Sequence, residues 1–335
     1  MKNILGLGQP KPTKDKEQGM GKNRLLSLGN YVRKYGMVFT FLGLIILGSL
    51  LSDRFLTSRN MLNVARQVSI IGLLATGETF AILAGGIDLS VGGVLSAAAV
   101  FAASMQFLPF PAIVLLTIIF GSMFGLTTGN LVSRAKITPF IATMGMGAVA
   151  EGIALLLSSG QPIFIENNSE IFAAVGNDSF LGIPIPAIVL VLCIIIGQII
   201  LSYTSAGVYL KALGGNEEAT FWSGVNTKKY RTLSFILAGA FTGVAAILAV
   251  ARTSVGDPVI GQGLTLDAIS AVVIGGTHLG GGGIGSVTGT LLGAFIMGII
   301  NNLFNLLNVN AYWQLVAKGA IIIGAVYIGT RKGKE

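Results

Sequence analysis

The chain has 335 residues, of which 53% are hydrophobic and only 11% are charged, and its formal net charge is +8. A soluble domain carries roughly 25% charged residues, so this composition excludes a water-soluble globular protein and predicts one embedded in a membrane. The basic residues cluster before the first apolar run and after the last one, a pattern that membrane topology explains without nucleic-acid binding.

Ten apolar stretches are candidates for membrane-spanning helices, each of which needs about 20 apolar residues. They fall near 36–52, 66–86, 91–107, 110–132, 137–159, 184–203, 232–251, 266–282, 284–303 and 312–329. Glycines interrupt the pattern around 85–95 and 275–290, so counts of nine and eleven stay open. The predicted fold class is an all-α polytopic membrane protein with about ten transmembrane helices.

The Lys and Arg distribution predicts that both ends of the chain are cytoplasmic. We expect a basic cytoplasmic tail at 1–35 without a cleaved signal peptide, a transmembrane domain at 36–330 and a cytoplasmic tail at 331–335. Within the domain, 204–231 is expected to be a cytoplasmic loop and 160–183 a loop on the outer side.

Glycine patterns predict two pseudo-repeated halves. The string Gly85-Gly86-Ile87-Asp88-Leu89 matches Gly275-Gly276-Thr277-His278-Leu279, and glycines 121, 125 and 129 echo glycines 285, 289 and 293. Paired halves with glycine-interrupted helices are a recurrent transporter layout, in which the breaks often line the transport path.

Ionisable side chains within or beside the predicted spans are few: Glu78, Asp88, Glu151, Asp267 and His278. Such groups are costly in lipid and usually face the helix bundle or a cavity. Two interpretations stay open. One is a proton or ion relay, as in a secondary transporter; the other, which we favour, is that Asp88 and Asp267 each cap the helix that follows.

Catalytic chemistry has no support in the sequence. One histidine, one cysteine and the lack of a metal-ligand cluster predict no catalytic, cofactor-binding or metal-binding residues. Gly280, Gly282 and Gly285 satisfy G-x-G-x-x-G, but they lie between two spans, where close packing of small residues is the favoured explanation. No G-x4-G-K-[ST] string occurs, so any ATPase must be another chain.

The loop at 204–231 contains a predicted short helix. Asn216 is suited to cap it, Glu217 and Glu218 suit its positive first turn, and Gly224 is suited to end it. Such a helix exposes Phe221 and Trp222. An interfacial anchor and a docking site for a cytoplasmic partner explain these residues equally well.

Six strings in fixed order carry a resemblance to a known family: Gly85-Gly86-Ile87-Asp88-Leu89-Ser90-Val91-Gly92, Thr138-Pro139-Phe140-Ile141-Ala142-Thr143-Met144-Gly145, Gly214-Gly215-Asn216 with Ala219 and Ser223-Gly224-Val225, Leu266-Asp267-Ala268-Ile269, Val273-Ile274-Gly275-Gly276-Thr277, and Tyr312-Trp313-Gln314 with Lys318-Gly319. Over about residues 36–330 the chain resembles the permease subunits of ribose-type sugar ABC importers. Two positions depart from the family pattern: Thr265, where Glu is common, and His278, where Ser is common.

The resemblance implies a bacterial inner-membrane permease that forms a dimer with a second copy or a paralogue. Its other partners are a cytoplasmic subunit that binds ATP-Mg, an extracytoplasmic sugar-binding protein and membrane lipid, with no nucleic acid. Ribose is the expected sugar, with galactose- or xylose-type sugars as alternatives. The implied coupling residues, which dock on the ATPase, are Gly215, Asn216, Glu217, Ala219, Ser223 and Gly224.

The translocation path is expected at the two glycine breaks, Gly85–Ser90 and Gly275–Leu279. Sugar hydroxyls need hydrogen-bonding partners there. The candidates are Glu78, Thr79, Asp88, Ser90, Asp267, Thr277, His278 and Asn302. The alternatives are an ABC permease for nucleosides or branched-chain amino acids, an ion-coupled secondary transporter and a structural membrane protein.

Overall fold

The computed structural model describes residues 36–279 and 282–332. The predicted N-terminal tail at 1–35, Gly280 of the G-x-G-x-x-G string and residues 333–335 of the predicted C-terminal tail lie outside the described residues.

Helices dominate the described residues. They are α1 (Gly36–Leu51), α2 (Ser58–Leu83), α3 (Val91–Ser104), α4 (Phe110–Ser133), α5 (Pro139–Ser158), α6 (Ser169–Asn177), α7 (Ile185–Tyr203), α8 (Ser205–Gly215), α9 (Glu217–Trp222), α10 (Thr227–Thr253), α11 (Leu264–Ile274), α12 (Val287–Leu306) and α13 (Ala311–Lys332). The helix α13 includes Arg331 and Lys332, which begin the predicted C-terminal tail.

Two short strand pairs lie at one end of the bundle, which we call the strand end. Strand β1 (Ile163–Phe164) pairs antiparallel with β4 (Val255–Gly256), and β2 (Ser179–Phe180) pairs antiparallel with β3 (Ile183–Pro184). The amide of Gln106 donates to the Phe164 carbonyl at 3.1 Å, so the α3–α4 connection lies at the same end. The opposite end, which carries α8 and α9, is the α9 end.

The ten predicted spans coincide with α1–α5, α7 and α10–α13. Of these, α4, α5, α7, α10 and α12 are long and apolar enough to cross a membrane, while α1, α3 and α11 are shorter apolar helices. At 1.5 Å per residue α11 rises only about 17 Å, which is less than the roughly 30 Å of a hydrocarbon core. Non-helical segments flank α11 on both sides, at 254–263 and, among the described residues, at 275–279 and 282–286.

Two predicted boundaries differ from the observed helices by eight residues. The span predicted at 66–86 begins as a helix at Ser58. The span predicted at 266–282 ends as a helix at Ile274. Gly276 adopts a φ of +85°, a left-handed conformation that glycine adopts without steric cost and that no right-handed helix can continue through.

The contacts between helices form two equivalent halves, α2–α5 and α10–α13. The helix α10 packs on α3 and α4 as α2 packs on α11 and α12, α5 covers α3 as α13 covers α11, and α2 contacts α10 at the centre. In this order α2 corresponds to α10 and α3 to α11. The match between the strings at Gly85 and Gly275 is therefore not part of the repeat, because Gly85-Gly86 follows α2 whereas Gly275-Gly276 follows α11. The match between the glycines of α4 and those of α12 agrees with this order.

Small residues bring the central helices together. The backbones of α4 and α10 approach very closely. A Cβ on Gly125 would lie 2.7 Å from the Phe235 carbonyl carbon, which is too close for van der Waals contact. The rings of Phe80 on α2 and Phe241 on α10 stack at 5.9 Å beside this contact. Such close packing explains the Gly121-x3-Gly125-x3-Gly129 pattern as a helix-contact surface.

Candidate functional site

The helix α9 has the local structure that its sequence predicts. The side-chain oxygen of Asn216 accepts a hydrogen bond from the Ala219 backbone N–H at 2.9 Å, which makes Asn216 the N-cap. Glu217 and Glu218 occupy the first turn, and Gly224 has a φ of +81° just beyond the last one. The six coupling candidates are all exposed: Gly215, Asn216, Glu217, Ala219, Ser223 and Gly224.

The outer surface of α9 is apolar. Phe221 and Trp222 are 58% and 77% exposed and contact each other at 5.6 Å between ring centroids. On the inner side, Glu217 forms an ion pair with Arg231 of α10 at 3.0 Å. The helix is thus fixed to the bundle on one side and offers an aromatic surface on the other.

The preceding helix, α8, contacts the end of α2 and the α11–α12 connection through Gly214. A Cβ on Gly214 would overlap the carbonyl oxygen of Leu83, the last residue of α2. The Gly214 carbonyl accepts a hydrogen bond from the Gly282 N–H at 2.7 Å, in the α11–α12 connection. One residue of α8 therefore contacts both the end of α2 and the α11–α12 connection.

Glu78, Asp88 and Ser90 meet at the α2–α3 break. The Glu78 carboxylate accepts a hydrogen bond from the Asp88 backbone N–H at 2.9 Å. The Asp88 carboxylate accepts from the Ser90 N–H at 2.9 Å and from the Ser90 hydroxyl. The prediction that Asp88 caps α3 was wrong, because the N-cap is Ser90 and Asp88 fixes the turn before it.

Asp267 belongs to a different cluster. The prediction that it caps the following helix was wrong, since α11 already begins at Leu264 after an N-cap at Gly263. Its carboxylate instead pairs with Lys318 of α13 at 3.0 Å and accepts a hydrogen bond from the Asn301 amide of α12 at 2.9 Å. This cluster joins three helices through one buried oxygen.

The remaining path candidates make no side-chain hydrogen bond to Glu78, Asp88 or Ser90 in the part of the chain that the structure describes. The Thr79 hydroxyl lies 2.7 Å from the Thr290 hydroxyl on α12. Thr277 is buried, and its hydroxyl has no partner among the described residues. His278 is half-buried in the α11–α12 connection. Asn302 exchanges two amide hydrogen bonds with Asn60 near the start of α2, far along that helix from the α2–α3 break.

The structure therefore brings Glu78, Asp88 and Ser90 together and leaves Asp267 and Asn302 elsewhere. Sequence reasoning missed Lys318 and Asn301 as the partners of Asp267, and it missed Gly214 as the contact between α8 and α2. One signal was available in the sequence. A lysine inside a predicted span usually pairs with an acidic side chain or faces a cavity, so Lys318 predicted a buried carboxylate nearby.

One face of α5 exposes a carboxylate. Glu151 is exposed in the middle of α5, a helix apolar enough to cross a membrane. Gly145 and Gly152 lie near it, and no atom lies within 4 Å of a Cβ added to either one. A charged side chain facing lipid is costly, whereas small residues on an open face suit contact with another helix.

Known proteins match the sequence of this chain along most of their length. The family described as "Branched-chain amino acid transport system / permease component" matches residues 60–326. The ribose import permease of Haemophilus influenzae is 37% identical over 313 residues, which are 91% of this chain and 97% of that protein. The ribose import permease of Bacillus subtilis is 39% identical over 320 residues, 94% of this chain and 98% of that one. The D-allose transport permease of Escherichia coli is 36% identical over 299 residues, 88% and 90% of the two chains. These matches confirm the resemblance drawn from the sequence.

Proposed function

We propose that this chain, which belongs to the ribose-type family of ABC importer permeases, forms the membrane path of an ATP-driven sugar importer with ribose as its substrate. The ribose permeases are its relatives at 37% to 39% identity over nearly the whole chain, which supports ribose over other sugars. ATP hydrolysis is assigned to a partner subunit.

The proposed orientation places the α9 end in the cytoplasm. Basic residues gather there and mark the cytoplasmic side of membrane proteins. They are Arg134, Lys136, Lys211, Lys228, Lys229 and Arg231. The strand end, with the 160–183 segment, then faces the sugar-binding protein, and both chain termini are cytoplasmic.

The proposed mechanism rests on one observation: α8 contacts the end of α2 and the α11–α12 connection. The exposed surface of Phe221 and Trp222 docks on the ATPase. The ATPase moves when it binds ATP, and this movement displaces α8. Because Gly214 contacts Leu83 and Gly282, the displacement reaches the α2–α3 break and the α11–α12 connection. The displacement then changes the position of side chains along the path. At the α2–α3 break these are Glu78, Asp88 and Ser90, and in the α11–α12 connection they are Thr277 and His278.

We further propose that a second copy covers the exposed face of α5. The observation that supports it is the open face of α5 at Gly145 and Gly152, on the same helix as the exposed Glu151. A Gly152→Cys variant in a Cys193→Ala background should form a cross-linked dimer in membranes under oxidation. A cysteine at Leu116, on the exposed face of α4, is the matched control and should remain a monomer. Equal cross-linking at both positions would contradict the α5 interface.

Uptake of radiolabelled ribose tests the function. Cells that express this chain, its ATPase and its binding protein should accumulate ribose, and omission of any one component should abolish uptake. An Ala219→Glu variant should reach the membrane but fail to transport, since it puts a charge on the docking surface. Uptake by this chain alone that collapses with the proton gradient would identify an ion-coupled transporter instead.

The family description favours a second candidate, a branched-chain amino-acid permease. The same cells should be given radiolabelled leucine. Accumulation of leucine but not ribose would replace the proposed substrate while leaving the ABC mechanism in place.

A further inference from the structure

A groove at the α9 end lies outside the residues assigned above. It has a volume of about 590 Å³ and lies between the end of α4 and the start of α10. Its polar lining includes Arg134, Lys228, Lys229 and Asn130, and Leu126 and Leu233 form part of its apolar wall. A groove of this size and mixed lining can accept a small polar group together with an apolar chain.

The three cations of this groove lack acidic partners. In the described ranges 36–279 and 282–332, neither Arg134, Lys228 nor Lys229 lies within ion-pair distance of a carboxylate. Lys228 and Lys229 also occupy the first turn of α10, which contains no acidic residue. Because the helix dipole is positive there, cations at that position are unfavourable until an anion joins them.

The apolar wall continues into the lipid-facing surface of α4. Leu115, Ile119, Met123 and Leu126 are all exposed and follow one face of this membrane-spanning helix. Leu126 is the last residue of this stripe and also lines the groove. The groove therefore opens where an acyl chain lying along α4 would end at its headgroup.

Asn130 adds a hydrogen-bonding group. Its side-chain oxygen is withdrawn from solvent and has no hydrogen-bond partner among the residues that the structure describes. A buried carbonyl oxygen of this kind accepts from a hydroxyl or N–H donor. The groove thus combines positive charge, a free acceptor and an apolar exit toward lipid.

We propose that this groove binds the headgroup of an anionic phospholipid. The phosphate lies between Arg134 and the two lysines, a headgroup hydroxyl donates to Asn130, and an acyl chain follows the exposed face of α4. Basic pockets between membrane helices at a cytoplasmic surface recognise anionic headgroups through the same combination of charges. The lipid neutralises the start of α10, the helix that anchors α9 through Arg231.

The test uses the purified full chain with phosphatidylglycerol and phosphatidylcholine of the same acyl chains, with bound lipid counted by native mass spectrometry. Phosphatidylglycerol should be retained in preference to phosphatidylcholine. Arg134→Gln should lower its retention about fivefold, the loss typical of one cation near an anionic lipid surface. Lys136→Gln, which removes a cation at the same end but outside the groove, is the matched control and should have no effect.

Glycerol 3-phosphate separates a lipid site from a soluble-phosphate site. Millimolar glycerol 3-phosphate should leave bound phosphatidylglycerol in place, because it lacks the acyl chain that contacts α4. Full displacement would mean that the groove takes soluble phosphates and would overturn the lipid assignment. Equal retention of the two lipids by the unmodified chain, or equal losses in Arg134→Gln and Lys136→Gln, would overturn it as well.

Discussion

The ammonium of Lys318 lies 3.0 Å from a carboxylate oxygen of Asp267, between α13 and α11. Their side chains are only 14% and 2% exposed, and the same oxygen accepts the Asn301 amide. An ion pair withdrawn from water ties its helices firmly, because removal of one partner leaves the other charge buried and uncompensated.

Lys318→Met should lower the free energy of unfolding by about 3 kcal/mol, the scale for an orphaned buried charge. Thermal unfolding of the purified chain in detergent measures this loss. The double variant Asp267→Asn/Lys318→Met should recover most of it, because no charge remains. Lys136→Met, at an exposed lysine, is the control and should change little. If the single and double variants were equally unstable, the charge would not be the cause.

Gly214→Ala should impair transport more than Gly215→Ala does. A Cβ at position 214 would overlap the Leu83 carbonyl oxygen, so α8 must move away from α2. At position 215 the nearest atom is 3.8 Å away, an ordinary contact. Uptake per membrane-inserted chain measures the difference. Equal uptake in both variants would show that the α8–α2 contact does not transmit the ATPase movement.

Trp222→Ala should weaken binding of the ATPase subunit by at least about tenfold, since exposed aromatics that become buried at an interface are frequent hot spots. Trp313→Ala at the strand end is the matched control, because Trp313 is 68% exposed against 77% for Trp222. Affinity for the purified ATPase in detergent is the measurement. Similar affinities for both variants would place the docking surface elsewhere.

Asn216→Ala should lower ATPase affinity about fivefold, because loss of an N-cap hydrogen bond costs a helix about 1 kcal/mol. Asn216→Asp should restore binding, since its carboxylate can accept the same hydrogen bond from the Ala219 N–H. The same affinity assay distinguishes the two variants. Failure of Asp to rescue would mean that Asn216 contacts the partner itself.

Asp88→Ala should lose uptake and stability, whereas Asp88→Asn should keep the fold. The Asp88 side-chain oxygen accepts two hydrogen bonds from Ser90, and an amide oxygen can accept both. Leaving buried donors unpaired costs about 1–3 kcal/mol. Uptake and thermal unfolding, measured together, separate the roles. If Asp88→Asn folds normally but does not transport, the charge of Asp88 is needed for translocation. If Asp88→Asn and Thr277→Ala both transport normally, neither Asp88 nor Thr277 belongs to the translocation path.

The sequence by itself determined the features that depend on local composition. The positions of the ten helices follow from the apolar runs, because a membrane span must satisfy every backbone group within itself. The cap at Asn216 and the left-handed Gly224 were also predictable, since both involve groups within a few residues of each other.

Only the tertiary structure decided how these helices use their polar residues. Asp267 looked like a cap because the start of α11, at Leu264, is not marked by a capping side chain. Its partners Asn301 and Lys318 lie on other helices, and no local pattern specifies which helices become neighbours. The contact of Gly214 with Leu83 and the order of the two halves have the same origin: they arise from packing between segments distant in the chain, which hydropathy alone does not encode.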